Sequence, residues 1–328
     1  MTINPVFTDA TPIAAIDAER QFLDDVLTGL SAPQKFLSAK YFYDATGSDL
    51  FEAITRQPEY YPTRTELGIL DAQGAAIAAT LPAEANLVEF GSGSTVKVRR
   101  LMVHRPDLAA YVPVDVSESF LLSEAEALAR DFPNLTIAPV AADFTRAFTL
   151  PAGLSGGPVA GFFPGSTIGN FEPPEATRLL AHFGRVLGAG ATLIIGVDLV
   201  KEKAVLDAAY DDAAGVTAAF NLNLLHRANA ELGTDFDVDG FTHAAFYNAP
   251  HRRIEMHLVS RRRQTVTLDG EPFEFAEGET LHTENSHKFT VDDLRVLAMK
   301  AGFTPRAVWT DPDRLFSVHW LQAPVAAQ

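Results

Sequence analysis

The sequence predicts an α/β protein: a mostly parallel sheet ending in an antiparallel C-terminal hairpin, with a second, α+β domain. Three observations carry this. Between residues 86 and 198, short apolar runs alternate with amphipathic segments, as strands buried on both faces alternate with crossover helices. The last two apolar runs, 306–309 and 316–321, are separated only by TDPDR, too short for a crossover, so they pair antiparallel. Residues 201–274 break the alternation and are too many for a βα loop, which marks an inserted domain.

In chain order, residues up to about Leu70 mix helical pattern with the aromatic loops KYFYDATGSDLF and QPEYYPTRTE. Asn86-Leu87-Val88-Glu89-Phe90 reads as a buried strand entering the turn Gly91-Ser92-Gly93-Ser94, and 97–104 reads as a helix. Residues 110–114 form a strand that ends at Asp115. The next helix has Ser117 as N-cap and Leu121, Ala125, Leu128 and Phe132 on one face. Strands follow at 135–140, closing near Asp143, and at 159–163, before the loop PGSTIGNFEP. A helix over 174–187 leads into a strand over 191–197 that stops at Asp198. Residues 201–232 read as nearly continuous helix, and HAAFYN, RIEMHLV and QTVTL as alternating strands. A helix over 291–301 precedes the final hairpin.

Composition narrows the function. The 328 residues carry a net charge of −16, which disfavours nucleic acid and anionic membranes as partners, since both are bound through Lys and Arg. Arg252, Arg253, Arg261, Arg262 and Arg263 make the one notable basic run and read as a solvated strand end. With no cysteine, disulfides, thiolate metal sites and a cysteine nucleophile are excluded. The first twenty residues lack a basic leader with an apolar core, and no run approaches ~18 apolar residues. A cytoplasmic, monomeric protein is expected. The nine histidines show no helical His-x-x-x-His or comparable ligand set, so no metal is expected, and His282, His287 and His319 read as ordinary surface or edge residues.

Ligands of open α/β sheets bind beyond the carboxyl ends of the strands. There the sequence places Gly91-Ser92-Gly93, Asp115, Asp143-Phe144 and, past the next strand, Asn170. Gly91 and Gly93 permit close backbone approach, although a simple tight turn explains them as well. Val96 stands where a G-x-G-x-x-G dinucleotide fingerprint needs its third glycine, which counts against a nicotinamide-dependent dehydrogenase. Asp115 suits two ribose hydroxyls, or a helix cap. Asp143 and Phe144 suit an adenine amine and ring face, with Phe144 equally suited to the core. Lys97 opens the following helix, near a ligand or in solvent.

With these residues in hand, the chain resembles the ergothioneine-pathway L-histidine Nα-methyltransferases, a family with the class I (Rossmann-like) methyltransferase fold. The resemblance runs through EYYPTRTE, VEFGSGSTVK, YVPVDVSES, PGSTIGNFEP, AAYDDAAGVTAAFN, RIEMHL and LHTENSHKF. The glycine turn is generic to methyltransferases; EYYPTRTE, GSTIGN and AAYDDAAGVTAAFN are specific. It implies a core at 65–200 and 286–328 that binds S-adenosylmethionine through Gly91, Ser92, Gly93, Lys97, Asp115, Asp143 and Phe144. It implies a substrate-binding domain at 1–64 and 201–285. Tyr60, Asn170 and Tyr210 would hold the amino-acid backbone of histidine, and Met256, Glu284 and Ser286 its imidazole. Tyr60 and Tyr43 would serve the reaction, and Asn285, within the same motif, is left without a defined role. The implied reaction is trimethylation of the histidine α-amino group to hercynine. Alone, Tyr60 and Tyr210 read equally well as core, Met256 reads more readily as core, and Glu284 reads as a surface carboxylate. A methyltransferase of another amino acid or amine and a non-catalytic binding module are the remaining readings.

Overall fold

The computed structural model describes residues 13–325 apart from Gly153 and Ser155. The chain forms two compact units, with boundaries at Tyr61/Pro62, Val200/Lys201 and His287/Lys288. Helix α1 (Ile13–Ser31), a 3-10 turn at Ala39–Phe42 and α2 (Ala45–Thr55) belong to the second unit. Asp44 caps α2 by accepting the Gly47 amide at 2.6 Å. Helix α3 (Tyr61–Ala78) leads into the first unit with Pro62 in its opening turn, where no intrahelical N–H is required.

The first unit then runs β1 (Asn86–Phe90), α4 (Val96–Met102), β2 (Ala110–Asp115), α5 (Glu118–Asp131), β3 (Thr136–Ile137), β4 (Val140–Ala141), β5 (Val159–Phe163), α6 (Pro173–Leu187) and β6 (Thr192–Asp198). The strand expected over 135–140 is two short pieces, both paired parallel with β2. Ser117 precedes α5 as expected but makes no side-chain cap bond.

The insertion holds α7 (Lys203–Tyr210), α8 (Val216–Leu232), β7 (Phe241–Asn248), β8 (Arg253–Ser260), β9 (Gln264–Leu268), β10 (Glu271–Phe275) and β11 (Thr280–His287). Residues 201–232, expected as nearly continuous helix, break at Asp211–Gly215. The Asp212 carboxylate accepts the Val216 and Thr217 amides at 2.9 and 2.7 Å, and Gly215 sits at φ +72°. A carboxylate that satisfies the first amides of α8 starts a new helix rather than continuing the old one. Asp269 and Gly270, both at positive φ, join β9 to β10 in a two-residue hairpin turn. The chain re-enters the first unit through α9 (Val291–Lys300), β12 (Thr304–Thr310) and β13 (Phe316–Gln322).

The first unit's sheet has the order β12-β13-β6-β5-β1-β2-β3, parallel from β6 to β3 and antiparallel at β6–β13 and β13–β12. That is the class I methyltransferase topology. Both faces are buried. Val88, Phe90, Val112 and Phe163 join Phe183 of α6 and Leu294 of α9 in one core, while Leu87, Tyr111 and Phe162 join Leu70, Leu101 and Leu128 in the other. Phe90 stacks on Phe183 with ring centroids 3.8 Å apart. Because the chain moves outward from β1 to β2 and β3 and then returns to β5, the order reverses beside β1, at the glycine turn. In the second unit, β7, β8 and β11 form an antiparallel sheet with β8 central, and β9 and β10 form a separate hairpin. No helix among the described residues is long and apolar enough to cross a membrane.

Candidate active site

In the first unit, Gly91 and Gly93 adopt φ +66° and +41°, a region costly to side chains. The Gly91 and Ser92 amides donate to the Val114 carbonyl at 2.8 and 3.2 Å. Asp115 accepts the Gly93 amide at 3.1 Å through Oδ2 and the Ser117 amide at 2.9 Å through Oδ1. Asp115 therefore shapes the turn itself, and each of its oxygens keeps a further lone pair for a ligand hydroxyl. A Cβ on Gly91 would approach Phe144 Cε1 to 3.2 Å, so the absent side chain gives that ring its place against the turn. Asp143 anchors its own loop by accepting the Thr145 amide and hydroxyl at 2.9 and 2.5 Å. Ser92 Oγ is buried with no hydrogen-bond partner among the described residues. An open glycine turn, an unused buried hydroxyl, two carboxylates and an aromatic ring fit an adenosyl group with a charged tail.

The first unit also holds a buried polar network around Glu66, a residue to which the motif reading gave no role. Glu66 of α3, at 0% exposure, accepts the Gly165 amide at 2.9 and 3.1 Å and pairs with Lys97 at 2.8 Å. The signal was present: Glu66 shares one stripe of α3 with Leu70 and Ile77, where only a paired carboxylate is tolerated. Lys97 thus opens α4 as an ion-pair partner. Glu89 of β1 is also fully buried. Tyr111 donates to its Oε2 at 2.5 Å, and its Oε1 meets no partner among the described residues. Burial pushes the Glu89 carboxyl up to about 8, against the pull of the Tyr111 hydroxyl and the Lys97 charge.

This has a consequence for stability. The folded protein holds a proton on Glu89 that the unfolded chain releases near the ordinary carboxyl value, so its contribution is present at low pH and falls as pH rises toward 8. Glu89→Gln is expected to flatten the decline of melting temperature between about pH 5 and 8. Parallel melting curves for both proteins would contradict this.

Asn170 ends a 3-10 turn (Thr167–Asn170) after β5 and is half-buried in the first unit. The turn is fixed by Gly165 and Ser166 at φ +80° and +59°, and Ser166 Oγ accepts the Asp198 amide at 2.9 Å. Asp198 and Lys288, both buried, pair at 2.8 Å and tie the end of β6 to the returning chain.

The second unit gathers most of the residues expected for substrate. Tyr60 and Tyr210 are both 8% exposed, with ring centroids 6.1 Å apart. Phe51 lies 6.2 Å from Tyr60 and 5.7 Å from Tyr43, which extends the aromatic series to that residue. Tyr210 Oη and Ser286 Oγ share a hydrogen bond at 2.9 Å. On the sheet, Glu284 of β11 lies directly opposite Met256 of β8, and Ser286 is two residues further along, so all three face the same side.

The register does not bring Asn285 to that side. It lies opposite Glu255, and consecutive residues of a strand point to opposite faces. A bulge at Thr283 puts His282 opposite His257 on this second face, out of phase with Glu284. The expectation of ordinary surface or edge histidines is corrected here: His287 and His319 are 8% and 1% exposed, and His282 is largely covered. His319 bonds Ser317 Oγ at 2.9 Å, and burial pulls its ring down to about 3. Arg253, expected in solvent, is bound to Glu255 at 2.8 Å, whereas Arg261, Arg262 and Arg263 are exposed. Glu255, His257 and His282, which no sequence spacing links, converge on this face.

Comparison with known proteins fits this geometry. The family model of SAM-dependent, histidine-specific methyltransferases matches residues 22–323. The chain is 42% identical over 308 residues to the histidine N-alpha-methyltransferase of Mycolicibacterium smegmatis, covering 92% of this chain and 95% of that protein. It is 42% identical over 293 residues to the histidine N-alpha-methyltransferase of Mycobacterium tuberculosis, covering 88% and 90%. The 4-dimethylallyltryptophan N-methyltransferase easF of Epichloe festucae var. lolii is 26% identical over 325 residues, covering 89% and 92%. With a class I methyltransferase sheet and a match that spans both units, the chain belongs to the SAM-dependent, histidine-specific methyltransferase family.

Proposed function

We propose that this protein methylates the α-amino nitrogen of L-histidine three times to give Nα,Nα,Nα-trimethylhistidine, the first step of ergothioneine biosynthesis. The observation that carries the substrate assignment is the shared face of Met256, Glu284 and Ser286, with Ser286 bonded to Tyr210. Glu284 accepts an imidazole N–H there, Ser286 serves the other ring nitrogen, and Met256 supplies an apolar wall. Tyr210 and Asn170 donate to the carboxylate as neutral groups, which suits a site that also receives a sulfonium, since a guanidinium there would repel it.

S-adenosylmethionine supplies an electrophilic methyl group. Gly91, Ser92, Gly93 and Lys97 hold its charged tail, Asp115 its ribose, and Asp143 and Phe144 its adenine. The chain's task is to present the amine as a free base with its lone pair in line, a matter of positioning worth about 7–11 kcal/mol for well-oriented partners. Tyr60 orients the amine, with Tyr43 next in the aromatic series. The sequence stops at three methyl groups because the quaternary product has no lone pair left.

Tyr60→Phe is expected to lower kcat by about 2–10-fold, the loss of one neutral hydrogen bond, or to displace the pH profile. Unchanged kinetics across pH would remove Tyr60 from this role. A different amino acid is the competing reading, favoured by the tryptophan-derivative substrate in the name of the easF relative. Mass spectrometry of products from histidine and from tryptophan, each with S-adenosylmethionine, decides between them. Three added methyl groups on histidine alone support the assignment, and methylation of tryptophan alone overturns it.

A further inference from the structure

The face of the β7–β8–β11 sheet turned away from Met256 and Glu284 carries a group that the methyl-transfer reading does not use. Glu255 and His257, each 8% exposed, sit two residues apart on β8, and His282 lies opposite His257 on β11. One carboxylate oxygen and one nitrogen from each ring all lie within 4.8 Å of one another. The His257 ring is stacked between Phe246 at 5.4 Å and His282 at 4.7 Å.

We propose that Glu255, His257 and His282 bind a divalent transition-metal cation of the Zn2+ class. Two imidazoles and one carboxylate are the donor set that such borderline cations favour, and Mg2+ and Ca2+ prefer all-oxygen surroundings.

The surroundings are those of ligands held in place by outer partners. Arg253 and Asn248 take Glu255 Oε1 at 2.8 and 2.9 Å, which leaves Oε2 toward the cluster, 3.2 Å from His257 Nε2. The Glu284 carbonyl meets His282 Nε2 at 3.0 Å and favours the tautomer with the proton on that nitrogen, so that Nδ1 becomes the donor. His257 Nδ1 is buried and has no hydrogen-bond partner among the described residues, a polar atom the protein fold does not use.

Arg253 also stands beside the site, with Nη2 2.8 Å from Glu255 Oε1. The Arg253 guanidinium opposes a cation, so the site is expected to bind less tightly than a closed structural zinc site.

Tag-free protein, stripped with EDTA and exchanged into chelator-free buffer without histidine, is titrated with Zn2+ by calorimetry and with Co2+ by visible absorption. One ion per chain is expected, with Co2+ bands showing nitrogen ligation. Glu255→Gln and His282→Asn are each expected to weaken binding more than about 10-fold while keeping the wild-type circular dichroism. No binding by the wild-type protein, or undiminished binding in both variants, overturns the site. Should a variant fail to fold, the Zn2+-induced shifts of the His257 and His282 ring nitrogens in wild-type protein decide: shifts in both support the site, and no shift in either overturns it.

Discussion

Gly196→Ala is expected to destabilise the protein by about 3–5 kcal/mol, the cost of breaking a buried ion pair on top of overpacking. Gly196 lies in β6, where an added methyl would overlap Glu66 Oε1 and come within 3.0 Å of Phe316 Cε1. A flexible carboxylate elsewhere would swing aside. Glu66 cannot, because it is fully buried and already holds the Gly165 amide and the Lys97 ammonium. Any shift that relieves the methyl group strips one of those partners and disturbs the turn leading to Asn170. Denaturant midpoints measure the loss. Glu66→Ala is expected to be destabilising as well, and the double variant should lose less than the sum, because the methyl then has room. Strictly additive losses would show that the clash is relieved some other way.

Glu284→Gln is expected to reduce kcat/KM for histidine by about 10–150-fold, the range for losing one hydrogen bond to a charged group, and to leave cofactor affinity unchanged. The amide replaces an acceptor with a group that can turn an N–H toward the imidazole N–H, so the site loses both the bond and its preference for a ring donor. The relative rate with an amino acid that lacks the ring N–H should therefore rise. Steady-state kinetics on histidine and phenylalanine measure both quantities. Equal kcat/KM for histidine in the two proteins would return Glu284 to the surface carboxylate that its sequence context also allows. The prediction depends on Glu284 sharing a face with Met256 and Ser286, which the bulge at Thr283 brings about.

That bulge shows where reading the sequence stops. TENSHKF marks the substrate segment as a string, but period-two counting from His282 puts Glu284 on the same face as His282. One extra residue in β11 reverses the phase, so Glu284 and Ser286 fall on one face and His282 and Asn285 on the other. No local pattern announces the bulge, because its site is set by pairing with β8. Similarly, Asp212 and Gly215 carry an explicit helix-start signal inside an otherwise helical run, and apolar periodicity alone passes over it.

The parallel strands, their order of appearance, the glycine turn, the inserted domain and the closing hairpin follow from the sequence by itself, because each is a local property. Apolar runs set strands, TDPDR is too short to cross over, and a break in the alternation marks an insertion. Motif by motif, the same holds for the family. What only the tertiary structure decides are the contacts between residues far apart in the chain. These include the carboxylate of Glu66 beneath Gly165 and Gly196, the proton held on Glu89 by burial, the pairing of Lys288 with Asp198, and the convergence of Glu255, His257 and His282. Each depends on desolvation and on partners from other elements. Composition and periodicity carry neither quantity, so a buried carboxylate or histidine reads in sequence like any other polar residue until the fold removes its water.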